Sequence, residues 1–176
     1  MVKEIRLYVE GGGDKEGKAR LRQAFTTFLG ELHNEARRRG VRWQTVLCGS
    51  RTQTYEDFLL ALRTHPDALN LLLVDAERPV TASVRDHLQT TAPEGDGWQL
   101  ASVHDEQLHL MAQLMEAWFI AEPAVLAALY GKGFAAGALP RTRNVEAVAK
   151  SRVLDALHRA TKDTQKAPTI RCGTRR

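Results

Sequence analysis

Short apolar runs and longer helical patterns alternate along the first half of the chain. Three runs rich in apolar and β-prone residues predict strands at 5–10, 41–47 and 69–74. The third run is almost wholly apolar, which is typical of a parallel-sheet strand that is covered on both faces. Between the strands, apolar residues at helical spacing predict helices over 15–39 and 54–64.

This β-α-β-α-β order predicts an α/β fold, with a central, mostly parallel sheet of about four strands flanked by helices. The second half of the chain is less regular. Its patterns predict a fourth strand or the start of a helix at 108–114, helices over 79–91, 116–130 and 144–161, and a loop over 131–143. Within 116–130, Pro123 must lie in a first helical turn or break the helix.

Length and composition are those of an ordinary folded domain. The 176 residues predict one domain, which we assign to 1–165. No apolar run approaches the ~20 residues of a membrane span, and the first residues lack a secretory apolar segment. Cys48 and Cys172 lie in no metal-binding spacing. We therefore expect a cytoplasmic protein with two free thiols and no membrane partner.

The net charge of +4 is concentrated at one end of the chain. Ten basic and three acidic residues lie from 141 to 176, so the remainder is mildly acidic. Residues 166–176 have no periodicity and predict an irregular, disordered basic tail. This segment suggests a polyanion partner, with Arg141, Lys162 and Lys166 as candidate phosphate contacts. A solvated helix face with a frayed end explains the same charges.

Acidic residues follow two of the predicted strands. Glu10 ends the first strand, and Asp75 and Glu77 follow the third. In parallel sheets, binding sites form beyond the carboxyl ends of the strands. Carboxylates crowded there repel one another unless a proton or a cation lies between them, and Mg²⁺ takes oxygen ligands. The alternative is a pair of solvated acids that bind Arg78 or Arg85.

A glycine-rich loop joins the first strand to the first helix. Gly11, Gly12 and Gly13 permit positive φ angles, so their N–H groups can turn towards an anion, and the helix N-terminus adds positive charge. The segment matches neither the P-loop nor the dinucleotide-binding pattern. Gly11–Asp14 is therefore a candidate phosphate-binding loop in which Asp14 supports the site. The alternative is a tight strand-to-helix turn with Asp14 as the helix cap.

Two of these segments resemble the Toprim domain of topoisomerases, bacterial primases and OLD-type nucleases. They are Val9–Asp14 (VEGGGD) and Leu72–Glu77 (LLVDAE), the second with Glu77 where the Toprim pattern has Asp. Over about residues 3–165 the chain is also similar to a small bacterial group of Toprim-like proteins of unknown function, often encoded beside AAA-type ATPases in defence loci. The segments Leu110–Phe119 (LMAQLMEAWF) and Asn144–Ala147 (NVEA) carry that likeness.

The resemblance implies a Toprim-like, Rossmann-like fold and a set of site residues. Asp75 and Glu77 would hold Mg²⁺ (or Mn²⁺) on the scissile phosphate, and Glu10 would act as general acid/base or as a further ligand. Glu116 is an additional candidate ligand, with a helix N-terminal carboxylate as its alternative.

The expected function is metal-dependent phosphodiester hydrolysis of DNA or RNA by a Toprim-type nuclease. The resemblance places it in a bacterial anti-phage defence system with an AAA/ABC-type ATPase partner. A non-catalytic Toprim-like module that docks on the ATPase is the alternative. Hydrolysis of nucleotides or phosphate esters without nucleic acid is a third possibility.

Overall fold

Four parallel strands form the central sheet of the protein. The computed structural model describes residues 2–91 and 95–166. The sheet has the order β2-β1-β3-β4, with β1 (Glu4–Glu10), β2 (Arg42–Gly49), β3 (Leu69–Asp75) and β4 (Leu108–Met111). The predicted α/β class, with a parallel sheet flanked by helices, is thereby confirmed, and the architecture is Rossmann-like.

Helices connect and follow the strands. Those of more than one turn are α1 (Lys15–Phe28), α2 (Gly30–Arg38), α3 (Arg51–Thr64), α4 (Val84–Gln89), α5 (Glu116–Ile120), α6 (Pro123–Tyr130) and α7 (Lys150–Thr161), with short 3-10 turns at Asp105–Gln107, Ala136–Ala138 and Val145–Ala147. Within residues 2–91 and 95–166, none of the helices combines the length and the apolar character that crossing a bilayer requires.

The predicted extents of two long helices are wrong, and a third is divided near Pro123. The helix expected over 15–39 breaks at Leu29, next to a glycine and after two threonines whose hydroxyls bond back to the preceding turn. The pattern over 116–130 divides into α5 and α6, and Pro123, which has no N–H to donate, lies in the first turn of α6, as its position predicts. The helix expected over 144–161 begins only at Lys150, after a 3-10 turn.

The chain divides into two compact units. Among the described residues, 2–74, 82–91 and 95–110 form the first unit, and 75–81 and 111–166 form the second. The single domain expected over 1–165 stays a prediction. The basic tail expected at 166–176 lies outside the described residues, apart from Lys166.

The core of the first unit surrounds the sheet. Side chains alternate along β3, so that Asn70, Leu72 and Val74 are buried while the opposite face is only half-buried. Leu72 packs in one cluster with Phe58 of α3 and Leu88 of α4, each of them fully buried. Burial of these apolar side chains removes their surface from water, which is the main stabilising contribution to a sheet of this kind.

The second unit has its own apolar core. Val153, Ala156 and Leu157 of α7 are buried at helical spacing and pack in one cluster with Leu114 and Ala117. This is the face that the apolar periodicity of residues 144–161 predicts.

Truncation of a core side chain in β3 should destabilise the first unit. We expect Leu72→Ala to lower the free energy of unfolding by ~2–5 kcal/mol, because a fully buried leucine leaves a cavity. Leu60→Ala on α3 is the control, since Leu60 is 49% exposed and its loss should cost less than ~1 kcal/mol. Urea denaturation followed by circular dichroism measures both, and equal losses would contradict the assigned core.

Cys48 is a free and buried thiol, and Cys172 lies outside the described residues. Burial, reinforced by the negative charge of Asp57, raises the pKa of the Cys48 thiol to about 12. At pH 8 only about one such thiol in ten thousand is ionised, against about a quarter for an ordinary cysteine. In a Cys172→Ser variant we therefore expect Ellman's reagent to react at least ~1,000-fold more slowly with the folded protein than with urea-unfolded protein. Equal rates would place Cys48 at the surface.

Candidate functional site

The loop after β1 turns on three consecutive glycines with positive φ. Gly11, Gly12 and Gly13 have φ angles of +120°, +93° and +45°, which side chains with a Cβ rarely adopt. The Gly11 N–H donates to the carbonyl of Gly49 at 2.8 Å, so the loop is fixed to the end of β2. The tight turn by itself accounts for these glycines, and their role in phosphate binding stays a prediction.

Asp14 caps helix α1. Its Oδ1 accepts the N–H of Gly17 at 2.7 Å, which confirms the capping alternative for this residue. The capping interaction uses one N–H of the helix start and adds a negative charge there. For an anion, this helix start is thereby less favourable than the glycines alone suggest.

Lys18 of α1 packs against the glycine loop, a contact that the sequence pattern does not predict. Its Nζ donates to the carbonyl of Cys48 at 3.1 Å, near the end of β2. Its side chain packs so closely on Gly12 that a Cβ at Gly12 would lie 2.7 Å from Lys18 Cγ. No motif of adjacent residues indicates this contact.

Glu10 ends β1 in an ion pair within the first unit. Its Oε2 accepts a hydrogen bond from Arg51 Nη1 at 3.1 Å, and both side chains are largely buried. Arg51 also binds Asp96 through two hydrogen bonds of 2.8 Å, in a forked arrangement. Burial opposes the charge on Arg51, but the contacts with Asp96 and Glu10 outweigh it, and the pKa of Arg51 is raised.

Aromatic rings support this arginine. The Arg51 guanidinium lies 5.1 Å from the centre of the Trp98 ring, and Trp98 stacks on Tyr55 at 4.4 Å between ring centres. The Tyr55 hydroxyl in turn accepts from the N–H and donates to the carbonyl of Gln99. Arg51, Asp96 and Trp98 were not among the predicted site residues.

Asp75 and its neighbours are fixed within the second unit. Asp75 Oδ1 accepts the N–H of Met115 at 2.9 Å. The next two N–H groups, of Ala76 and Glu77, donate to the carbonyls of Met111 and Gln113 at 2.9 and 2.8 Å. Three hydrogen bonds thus hold the segment that follows β3.

Glu77 has an unusual backbone conformation. Its φ of +63° is the only positive value for a non-glycine residue in the described part of the chain. Such conformations are unfavourable for residues with a Cβ and occur preferentially at functional sites. β3 ends at Asp75. The alternation of side chains along a strand therefore does not determine whether the Asp75 and Glu77 side chains point to the same side. The carboxylate of Glu77 forms an ion pair with Lys150 Nζ.

The other predicted site residues belong to the second unit. Glu116 is half-buried at the first residue of α5, where its helix N-terminal alternative also places it. Arg141 and Lys162 are exposed, and the exposed Lys166 donates from Nζ to the carbonyl of Leu129 at 2.8 Å. Their role as phosphate contacts stays a prediction.

The donor chemistry of the predicted acids suits a hard divalent cation, because carboxylate oxygens are the ligands that Mg²⁺ prefers. Across residues 2–91 and 95–166, however, no group of three or more His, Cys, Asp or Glu side chains is arranged to hold a metal ion. Each predicted ligand contacts a donor of its own unit: Glu10 with Arg51, Asp75 with the Met115 N–H, and Glu77 with Lys150.

Comparison with known protein families identifies one family to which the chain is similar. The family model for a domain of unknown function, DUF4276, matches residues 9–172. The chain belongs to the DUF4276 family. No curated protein and no solved structure matches it. The match begins at the last residues of β1 and includes the glycine loop, Asp75, Glu77 and Lys150.

The close approach of the glycine loop to α1 in this DUF4276 chain predicts that Gly17 does not tolerate a larger side chain. Alanine normally stabilises a helix relative to glycine, but a Cβ at Gly17 would lie 2.4 Å from the carbonyl oxygen of Gly12. We expect Gly17→Ala to lower the free energy of unfolding by about 1–3 kcal/mol, because the loop must shift. Gly30→Ala at the start of α2, where a Cβ meets nothing within 4 Å, should raise it by roughly 0.4–1 kcal/mol, because alanine restricts the unfolded chain. Thermal or urea denaturation gives both signs, and stabilisation by Gly17→Ala would refute the close approach.

Proposed function

We propose that this DUF4276 chain is a metal-dependent nuclease that hydrolyses phosphodiester bonds of DNA or RNA. The observation that carries the proposal is the strand order. β1 and β3 are parallel neighbours with Val9 opposite Leu73, and each strand ends at an acid, Glu10 or Asp75. In parallel α/β sheets, the carboxyl ends of the strands are where active sites form. The Toprim resemblance of the same two segments supports this interpretation.

In this proposal Asp75 and Glu77 hold Mg²⁺ or Mn²⁺, with Glu116 as an additional ligand. The ion, when bound, polarises a phosphoryl oxygen and lowers the pKa of its water. Glu10 exchanges a proton with the reacting groups or contributes a further ligand oxygen. The Gly11–Asp14 loop orients the substrate phosphate through backbone N–H groups, while the Asp14 side chain caps α1. Basic residues of the second unit contact the nucleic-acid backbone: Arg141, Lys162 and Lys166.

Lys150 and Arg51 fit the same chemistry. Each is a cation beside a proposed catalytic acid, and each can compensate the negative charge of that acid. We extend the proposal to a bacterial anti-phage defence system in which an AAA/ABC-type ATPase controls the nuclease. The resemblance to proteins encoded beside such ATPases supports that context.

One observation favours a second candidate function. Glu10 and Glu77 are already neutralised by Arg51 and Lys150, which a purely structural role for these acids also explains. On that reading the chain is a non-catalytic module that docks on the ATPase partner. It would bind the partner without cleaving nucleic acid.

Removal of either strand-end acid should abolish cleavage. We expect Glu10→Gln and Asp75→Asn each to slow Mn²⁺-dependent hydrolysis of labelled single- and double-stranded DNA and RNA by at least ~100-fold. Both changes keep an oxygen for the native hydrogen bond, to Arg51 or to the Met115 N–H, so that they test the charge rather than the fold. Treatment with EDTA should stop the reaction of the unmodified protein.

Exposed acids provide matched controls for this assay. Glu56→Gln on α3 and Glu122→Gln before α6 remove a negative charge at exposed positions and should leave the rate within ~2-fold. Cleavage that survives both Glu10→Gln and Asp75→Asn would remove the proposed site. Absence of cleavage by the unmodified protein, with retained binding to an ATPase, would favour the docking module.

A further inference from the structure

Arg51 occupies a position that its local sequence makes unfavourable. It is the first residue of α3, after the cap Ser50, and the first turn of this helix contains no acid. The N-terminus of a helix carries partial positive charge, so a cation there is disfavoured. Residues that break a local rule are often those with a functional or long-range role. What retains Arg51 must therefore lie elsewhere in the chain.

Two acids distant in sequence provide the compensation. Arg51 Nε and Nη2 donate to the two oxygens of Asp96, and Nη1 donates to Glu10. Both acids approach the same planar group, and their side chains are 21% and 17% exposed. A lysine ammonium cannot reproduce this planar fork. The orientation of the Glu10 carboxylate is thus tied to the plane of the guanidinium.

That plane is itself fixed. Trp98 lies beneath the guanidinium, Tyr55 stacks on Trp98, and the Tyr55 hydroxyl is bonded to the backbone of Gln99. The guanidinium thus packs on one ring, that ring stacks on a second, and the second is hydrogen-bonded to the main chain. Such an arrangement restricts the motion of the group at its other end, which is Glu10.

We infer that Arg51 is a positioning residue for Glu10, and that Asp96 and Trp98 fix Arg51 for this role. The inference rests on the proposed function, since it gives Glu10 a reaction to take part in. In this role Arg51 acts through the Glu10 carboxylate that it binds. Misplacement of a reacting group by about 1 Å can slow a reaction by about 100-fold.

The conservative variant Arg51→Lys tests this role. It keeps the positive charge but cannot bind Asp96 with a fork and Glu10 at once. We expect kcat for Mn²⁺-dependent cleavage to fall ~10–100-fold while KM stays within ~2-fold. Asp96→Asn keeps one acceptor oxygen for Arg51 and should give a smaller loss of kcat, in the range of ~3–10-fold. Circular dichroism at the assay temperature verifies that both variants are folded.

Arg85 offers a matched control in the same unit. It is also a half-buried arginine, bound to Asp105 and to the carbonyls of Leu100 and Val103, but it does not contact Glu10. Arg85→Lys should lower the stability of the fold and leave kcat within ~2-fold. An equal loss of kcat in Arg85→Lys and Arg51→Lys would show a general structural effect and overturn the inference.

A double-mutant cycle decides whether Arg51 acts through Glu10. In a Glu10→Gln background, Arg51→Lys should change kcat by less than ~2-fold, because the group that it positions is gone. If the losses of kcat in the two single variants add fully in the double variant, the positioning role is overturned and the proposed function stays intact. The same holds if cleavage is lost in Glu10→Gln but unchanged in Arg51→Lys. Failure of the unmodified protein to cleave any substrate overturns the proposed function and this inference together.

Discussion

The parallel pairing of β1 with β3 is the constraint on which the rest of the first unit depends. β1 pairs in parallel with β2 on one side and with β3 on the other. Parallel strands need crossover connections, and the segments from β1 to β2 and from β2 to β3 both contain helices. After β1 the chain must turn within a few residues to enter α1, and the positive φ angles of Gly11 to Gly13 make this tight turn. The same pairing makes Glu10 the last residue of a central strand.

Charge compensation is the second constraint. A carboxylate at the end of a largely buried strand is costly unless a partner satisfies it. Glu10 obtains this partner from Arg51, and Arg51 in turn needs Asp96 because it begins a helix. In the second unit Lys150 supplies the partner of Glu77. These cations neutralise the carboxylates with which they pair.

The sequence predicted what depends on local pattern and on strand ends. The three apolar runs gave β1, β2 and β3, and the Asp14 cap follows from its position after a loop. The break at Leu29 was missed because apolar periodicity continues across it. Arg51 and Asp96 were missed because their contact joins residues 45 positions apart, and no local pattern encodes such a pair. Lys150, 73 positions from Glu77, was missed for the same reason.

The central proposal is that Asp75 and Glu77 bind a divalent cation for phosphodiester chemistry, with Glu10 as general acid/base or as a further ligand. Isothermal titration of the unmodified protein with Mn²⁺, in parallel with Asp75→Asn and Glu10→Gln, tests it most directly. The account predicts saturable binding by the unmodified protein and affinity at least ~10-fold weaker in Asp75→Asn, with a smaller loss in Glu10→Gln if it acts mainly in proton transfer. Absence of Mn²⁺ binding, or binding that Asp75→Asn leaves unchanged, would contradict it.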